Sequence, residues 1–337
     1  MNYRFVLLFV STVAFLSGCR KNAGIEDDAL VVCSPHPVEF IRPLIENFEN
    51  NTGIDVRIIQ GGTGELLDRI AASGTQPYCD VLWGGSYSNV LPMADLFADY
   101  RSSNEDYVQD IYKNREGPLT RFSDIPSVLM LNRKLLGDCA VYGYSDLLKP
   151  ELKGKIAFSD PKKSSSATEH LINMLYAMGG GDTSAGWDYV RAFCYNLGGR
   201  LLDSSSQVYK GVSEGKYAVG LTFEDGGANY AMADDNIELV YMREGVVFTP
   251  DGVYIVENTP HLAEAKQFVD YLTSKDVQIY MSEILYRRSV RTDFESRGRL
   301  LSKSYMKIIH LDYMYVAAEK DKWVDRFGRI FAGTEGP

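Results

Sequence analysis

Apolar residues come in short clusters along most of this chain, and the clusters alternate between two spacings. Leu30-Val31-Val32-Cys33 is a compact apolar run that predicts a buried strand. Phe40, Ile41, Leu44, Ile45 and Phe48 then recur three and four residues apart, which predicts a helix stopped by Gly53. Val56 to Ile59 predicts a second strand. Leu66, Leu67 and Ile70 predict a second helix ending near Gly74, and Asp80-Val81-Leu82-Trp83 predicts a third strand. Strands alternating with helices of this length imply a parallel sheet with helical crossovers.

A second series starts further on. Lys155-Ile156-Ala157-Phe158 reads as a strand, and Leu171, Met174, Leu175 and Met178 mark a helix closed by Gly179-Gly180-Gly181. Trp187, Val190 and Cys194 mark another helix, and Arg200 to Leu202 and Tyr217 to Phe223 read as strands. Val128 to Asn132 and Gly252 to Val256 lie between the series and are expected to cross between them. Thr259-Pro260 has the form of a helix start. Beyond Ser274 the pattern is helical with many charges. The expected fold class is α/β with two lobes, each a mainly parallel sheet flanked by helices. The expected boundaries are 29–128 with 246–285 for the first lobe, and 129–245 with 286–337 for the second.

The beginning of the chain follows a different rule. Arg4 precedes an apolar run from Phe5 to Leu16, too short to span a bilayer comfortably, and small residues follow before Cys19. Leu16-Ser17-Gly18-Cys19 resembles the lipobox of bacterial lipoproteins. That resemblance implies a signal peptide over 1–18 and lipid on Cys19. Residues 19–28 would then be a polar tether, and the protein extracytoplasmic and held at a bacterial cell membrane on its periplasmic side.

A net charge of −10 argues against nucleic-acid binding, which needs a basic face. It leaves an anionic small ligand open, because a cleft sets its own local potential. Cys33, Cys79, Cys139 and Cys194 have no CxxC spacing, so zinc ribbons and thioredoxin-like motifs are unsupported. Cys33 and Cys79 are placed at opposite ends of neighbouring strands and are not paired here. A Cys139–Cys194 bridge and two buried free thiols both fit the sequence.

Candidate chemistry sits where strands end. Ser34-Pro35-His36-Pro37, Gly61-Gly62-Thr63-Gly64 and Gly84-Gly85-Ser86 follow the first three strands. Ser159-Asp160-Pro161 leads to Ser164-Ser165-Ser166, and Asp203-Ser204-Ser205-Ser206 follows a later strand. Open parallel sheets bind ligands at the carboxyl ends of their strands, where helix N-termini offer free N–H donors. Five such turns facing one cleft describe a site for a polar, anionic small molecule, although Ser, Thr and Asp are also the commonest helix caps. His36 fits a cleft donor, a metal ligand or a turn residue. Glu224-Asp225 fits an acceptor of sugar hydroxyls, a cation site or a solvated pair. GxSxG, HExxH, P-loop and post-strand GxGxxG motifs are missing, so no enzyme, cofactor or metal is expected.

These motifs resemble extracellular solute-binding proteins of ABC importers, in the branch of ferric-ion, sugar-phosphate, phosphoglycerate and aminoethylphosphonate binders. The resemblance covers roughly residues 29–290 and rests on SPHP at 34–37, TGIDV leading to GGTGELL, DVLWGGS at 80–86 and SQVYKGVSEGKYAVGLTFEDG at 206–226. It implies a type II periplasmic-binding "Venus flytrap" that holds one solute between its lobes. The implied partners are a permease and its ATPase, and we expect a monomer. Ferric binders of the branch carry two adjacent tyrosines near the TFEDG position, and this chain has no Tyr-Tyr pair. The SPHP, GGTGEL and WGGS runs are most similar to hexose-phosphate binders. By that resemblance Ser34, Thr63, Ser86 and Ser164, Ser165 and Ser166 hold phosphate, with Asp203 and Glu224 near the sugar hydroxyls. His36, Gly64, Gly85 and Ser205 complete the candidate set. Leu202 departs from the polar or His residue expected before Asp203. A ferric-ion binder, or a subunit presenting its ligand to a membrane sensor, is the alternative.

Overall fold

The computed structural model describes residues 28–115, 117–296 and 298–335. The leader, Cys19 and the tether up to residue 27 lie outside the described residues.

The strands are β1 (Leu30–Ser34), β2 (Val56–Gln60), β3 (Val81–Ser86), β4 (Thr120–Asn132), β5 (Ile156–Ala157), β6 (Val219–Phe223), β7 (Ile237–Val240), β8 (Val246–Ile255) and β9 (Ile308–Ile309). Helices α1 (Val38–Thr52), α2 (Thr63–Ala72), α3 (Tyr87–Val90) and α4 (Arg133–Leu136) belong to the first half. Helices α5 (Ser165–Met178), α6 (Trp187–Asn196), α7 (Ser205–Ser213), α8 (Glu224–Ala233), α9 (Leu262–Thr273), α10 (Lys275–Glu283) and α11 (Tyr313–Phe331) follow.

The strand order is β2-β1-β3-β8-β4-β6-β5, with β7 also on β4 and β9 on β8. β1 pairs in parallel with β2 and β3, so that Cys33 faces Ile59 on one side and Leu82 on the other. β5 and β6 are parallel too. The connecting strands β4 and β8 run antiparallel to each other, β4 antiparallel to β6 and β7, and β8 antiparallel to β3 but parallel to β9. β4 pairs β8 from Thr120 to Pro126, then changes partners and pairs β6 and β7 from Ser127 to Asn132. A strand of this length extends roughly 40 Å, enough to serve two lobes. Proline stands near the changeover in both connecting strands, as Pro126 and Pro250, where a missing N–H removes a ladder bond.

Two large hydrophobic bodies stand out among the described residues. Leu30, Phe48, Val81, Trp83 and Phe122 pack with Val253, Ile255, Phe268 and Met281. Leu129, Phe158, Leu171 and Phe193 pack with Phe248, Val316, Trp323 and Phe327. α11 also reaches α3, through Lys320 to Asn89 and through Tyr313 edge-on to Tyr87 at 5.5 Å. The described cysteines, Cys33, Cys79, Cys139 and Cys194, are free thiols.

Four details depart from the pattern reading. β3 continues through Gly84-Gly85-Ser86 instead of turning after Trp83, because the two glycines take φ of +121° and +95° within a bulged pairing with β8. Residues 200–202 supply one bridge, Ser159 to Leu202, squeezed between the Gly198-Gly199 turn and the cap of α7. α9 begins at Leu262, two residues after Pro260. Between 284 and 312 the described residues form no α-helix; they hold a 3-10 turn at Lys303–Tyr305 and the short β9. Tyr286 sits at φ +54°, and the arginines after it turn inward to carboxylates.

Candidate functional site

The strand exits converge. Pro35 to Glu39 after β1, Gln60 to Thr63 after β2, and Gly85 and Ser86 at the end of β3 form one wall of a cavity of about 420 Å³. Lys163 to Ser165, Ser204 to Ser206, Tyr209, Lys210, Thr222, Phe223, Asp225 and Gly226 form the opposite wall. Ile125, Thr249 and Asp251 from the connecting strands, with Arg287, line the remainder.

Helices start on both walls. α1, α2 and α5 begin at Pro37, Gly62 and Ser164 with no side chain capping their first amides, among the described residues. Those amides therefore stay available to a ligand. α7 is capped by Ser204, whose hydroxyl accepts from the Gln207 amide. Hydroxyls add donors. Thr63 and Thr222 are both more than nine-tenths buried, and neither side-chain oxygen has a hydrogen-bond partner among the described residues. Gly85 is needed where it stands, since a Cβ there would lie 2.8 Å from the Thr63 methyl at a φ few other residues adopt.

Of the residues singled out from sequence, His36, Thr63, Gly85, Ser86, Ser164, Ser165 and Ser205 line this cavity. The others lie elsewhere. Ser34 is fully buried behind the wall, where its hydroxyl donates to the Trp83 carbonyl at 2.7 Å and accepts from the His36 amide. Gly64 faces an adjoining cavity shared with Asp68, Lys162 and Asp325. Ser166 turns inward from the first turn of α5. Asp203 is exposed and holds Lys163 at 2.6 Å. Glu224 is buried, and its carboxylate accepts from Arg288 Nε and Nη2, each at 2.7 Å, and from the Tyr241 hydroxyl. Burial pushes the Glu224 carboxyl above its ordinary range, against the pull of Arg288.

At the cavity base lies a charged group that the sequence reading did not assemble. Arg287 is 3% exposed. It donates to Asp251, to Asp225 and to the Ser123 hydroxyl at 3.0 Å, and its guanidinium lies 4.9 Å from the Phe40 ring centre. His36 Nε2 is 3.1 Å from Asp251 without the angle of a hydrogen bond. Burial, helped by Arg287, lowers the His36 pKa against the pull of Asp251. One signal was legible: Asp251 is a lone charge inside the otherwise uncharged, wholly buried strand β8.

The chain's similarities to known proteins agree with this architecture. The sequence model described as bacterial extracellular solute-binding protein matches residues 29–282. A probable ABC transporter periplasmic-binding protein of Sinorhizobium fredii is 25% identical over 309 residues, covering 89% of this chain and 85% of its own length. The periplasmic binding protein AfuA from Actinobacillus pleuropneumoniae, solved with fructose-6-phosphate bound, superposes with a TM-score of 0.82 at 21% identity. That match covers 90% of this chain and 98% of that one. A solved two-component system protein described as mediating signal transduction is 28% identical with a TM-score of 0.75, over 85% of this chain and 95% of its own.

Proposed function

This chain belongs to the bacterial extracellular solute-binding proteins, and from that premise we propose that its cleft holds a small phosphorylated organic solute, a sugar phosphate first, for an ABC importer. The observation that carries the ligand class is the cleft's polarity. Uncapped starts of α1, α2 and α5 open on it from both walls, beside the unpartnered hydroxyls of Thr63 and Thr222. Helix N-termini of this kind favour phosphate. A volume of about 420 Å³ suits an organic solute better than a bare ion. Tyr209 is the one tyrosine on the cavity wall among the described residues, which disfavours ferric coordination by paired phenolates.

The reading assigns no turnover, places the protein outside the cytoplasm, and anchors it through lipid on Cys19. Detergent-phase partitioning of wild type and Cys19→Ala tests the anchor; unchanged partitioning of the variant refutes it. Titration calorimetry with glucose-6-phosphate, fructose-6-phosphate, phosphoglycerate, aminoethylphosphonate and ferric ion tests the ligand class. Binding of a phosphate ester at micromolar concentration supports it. Binding of ferric ion alone, with a visible charge-transfer band, refutes it.

The likeness to a signal-transduction protein favours one second reading, presentation of the solute to a membrane sensor. Cells lacking the protein separate the two. Lost solute uptake supports import, whereas normal uptake with a lost transcriptional response supports sensing.

A further inference from the structure

Two consecutive acids at the start of α8 meet two consecutive arginines after α10, and the two ion pairs differ in kind. Glu224–Arg288 is sealed: Glu224 is 1% exposed, held at two points by the guanidinium and at a third by Tyr241. Asp225–Arg287 borders the cavity, and both residues line it. Arg287 is positioned without Asp225. Ser123 and Asp251 take two of its nitrogens, its backbone amide donates to Met281, and the Phe40 ring backs the guanidinium. Asp225 has fewer restraints. Its side chain keeps 16% of its exposure, it is the second residue of α8, and Tyr209 on the same wall feels its charge.

We propose that Asp225 is a stand-in anion: it occupies the cavity-facing nitrogen of Arg287 until the anionic group of the solute takes its place. This rests on the anionic-solute reading and extends it by assigning the charged partner at the cavity base. The exchange has a mechanical side. Arg287 belongs to a segment tied to the first body, through the Met281 carbonyl and the Asp124 amide on the neighbouring Arg288 carbonyl. Asp225 belongs to α8, beside β6 in the second. Solute arrival therefore replaces a direct link between the lobes with one that runs through the solute, while Glu224–Arg288 stays closed as the fixed pin. Asp251 borders the cavity too but does not exchange, because it is 3% exposed, its Oδ1 accepts from the Gly252 amide, and its Oδ2 holds Arg287 beside His36.

The exchange has a sign that a simple contact does not. If Asp225 competes with the solute, removing its charge tightens binding; if Asp225 contacts the solute, removing it weakens binding. Asp225→Asn is expected to bind glucose-6-phosphate roughly three- to tenfold more tightly than wild type, the difference between a charge-assisted and a neutral competing bond, since the Asn oxygen can still accept from Arg287. Arg287→Lys, which keeps the charge but not the fork, is expected to bind at least about tenfold more weakly. In the double variant the gain from Asp225→Asn should vanish, since competitor and target are then both altered. Asp225→Ala is the second variant should Asn distort the helix start, and thermal unfolding of each confirms the fold. Equal or weaker binding by both Asp225 variants overturns the proposal.

Aminoethylphosphonate, succinate and citrate are titrated alongside. If a carboxylate binds and no phosphate ester does, the sugar-phosphate reading fails. The exchange then stands or falls on whether Asp225→Asn tightens that carboxylate. If none of these anions binds wild type, both are overturned.

Discussion

His170 offers a test of how far the second lobe depends on one buried neutral imidazole. It is fully buried on α5; its Nε2–H donates to the Thr222 carbonyl at 2.9 Å, and Nδ1 accepts from the Tyr144 hydroxyl at 2.9 Å. Burial lowers its pKa from 6.5 to about 4. The unfolded chain therefore binds the proton first as pH falls. Stability from this group is full above pH 6.5 and is lost as pH drops toward 4. The shift corresponds to about 2 kcal/mol lost at pH 5 and about 3 kcal/mol at pH 4. His170→Gln keeps an amide donor and an acceptor but cannot titrate in this range. Urea unfolding of both proteins at pH 7.5, 6, 5 and 4 isolates the contribution as a difference. Gln is expected to be the less stable at pH 7.5, and the gap should close by roughly 3 kcal/mol at pH 4. A gap that stays constant across the series refutes the argument. Because Thr222 lines the cavity, ligand affinity is expected to fall over the same range in wild type more than in the variant.

Glu169 should show the opposite slope. Burial raises its pKa while Ser88 and Thr249 hydrogen-bond it at 2.8 and 3.0 Å, so wild-type stability declines as pH rises from the ordinary carboxylate range through its raised value. Glu169→Gln removes that decline, measured by thermal melts across the interval; an unchanged slope refutes it. Thr63→Ala and Ser165→Ala, on opposite walls, are each expected to weaken glucose-6-phosphate binding by roughly ten- to a hundredfold in calorimetry, one charge-assisted bond apiece. Gly85→Ala is expected to cost about 1–3 kcal/mol in denaturant unfolding and to weaken binding with it, through its φ of +95° and the Thr63 contact.

Local pattern carried much of the architecture. The spacing of Phe40, Ile41, Leu44, Ile45 and Phe48 located α1, because the same residues that set the period are the ones buried. The glycine and serine turns marked the cavity walls, since a strand exit followed by a helix start is written in adjacent residues. Long-range pairing was harder to read. Glu224 and Arg288, and Asp225, Asp251 and Arg287, come from elements separated by up to 64 positions, and no local period announces such a meeting. Ser34 and Ser166 show the converse. Both have the residue type of a ligand donor, but each side chain faces the interior, and alternation along a strand or helix decides that within one position. The first half of β4 went unread because Arg121, Ser123 and Asp124 interrupt its apolar run, although Ser123 and Asp124 are fully buried against Arg287 and Lys303.

The interleaving of the two hydrophobic bodies has a consequence for how the chain comes to be folded. The first body lacks Val253, Ile255, Phe268 and Met281 until the chain has passed residue 281, and the second lacks Val316, Trp323 and Phe327 until it has passed residue 327. Neither can close on an N-terminal fragment. A chain emerging N-terminus first therefore carries Trp83, Phe48 and Phe158 without their late partners for most of its synthesis or translocation, and contacts spanning this much sequence form slowly. Productive folding is thereby postponed until nearly the whole polypeptide is available.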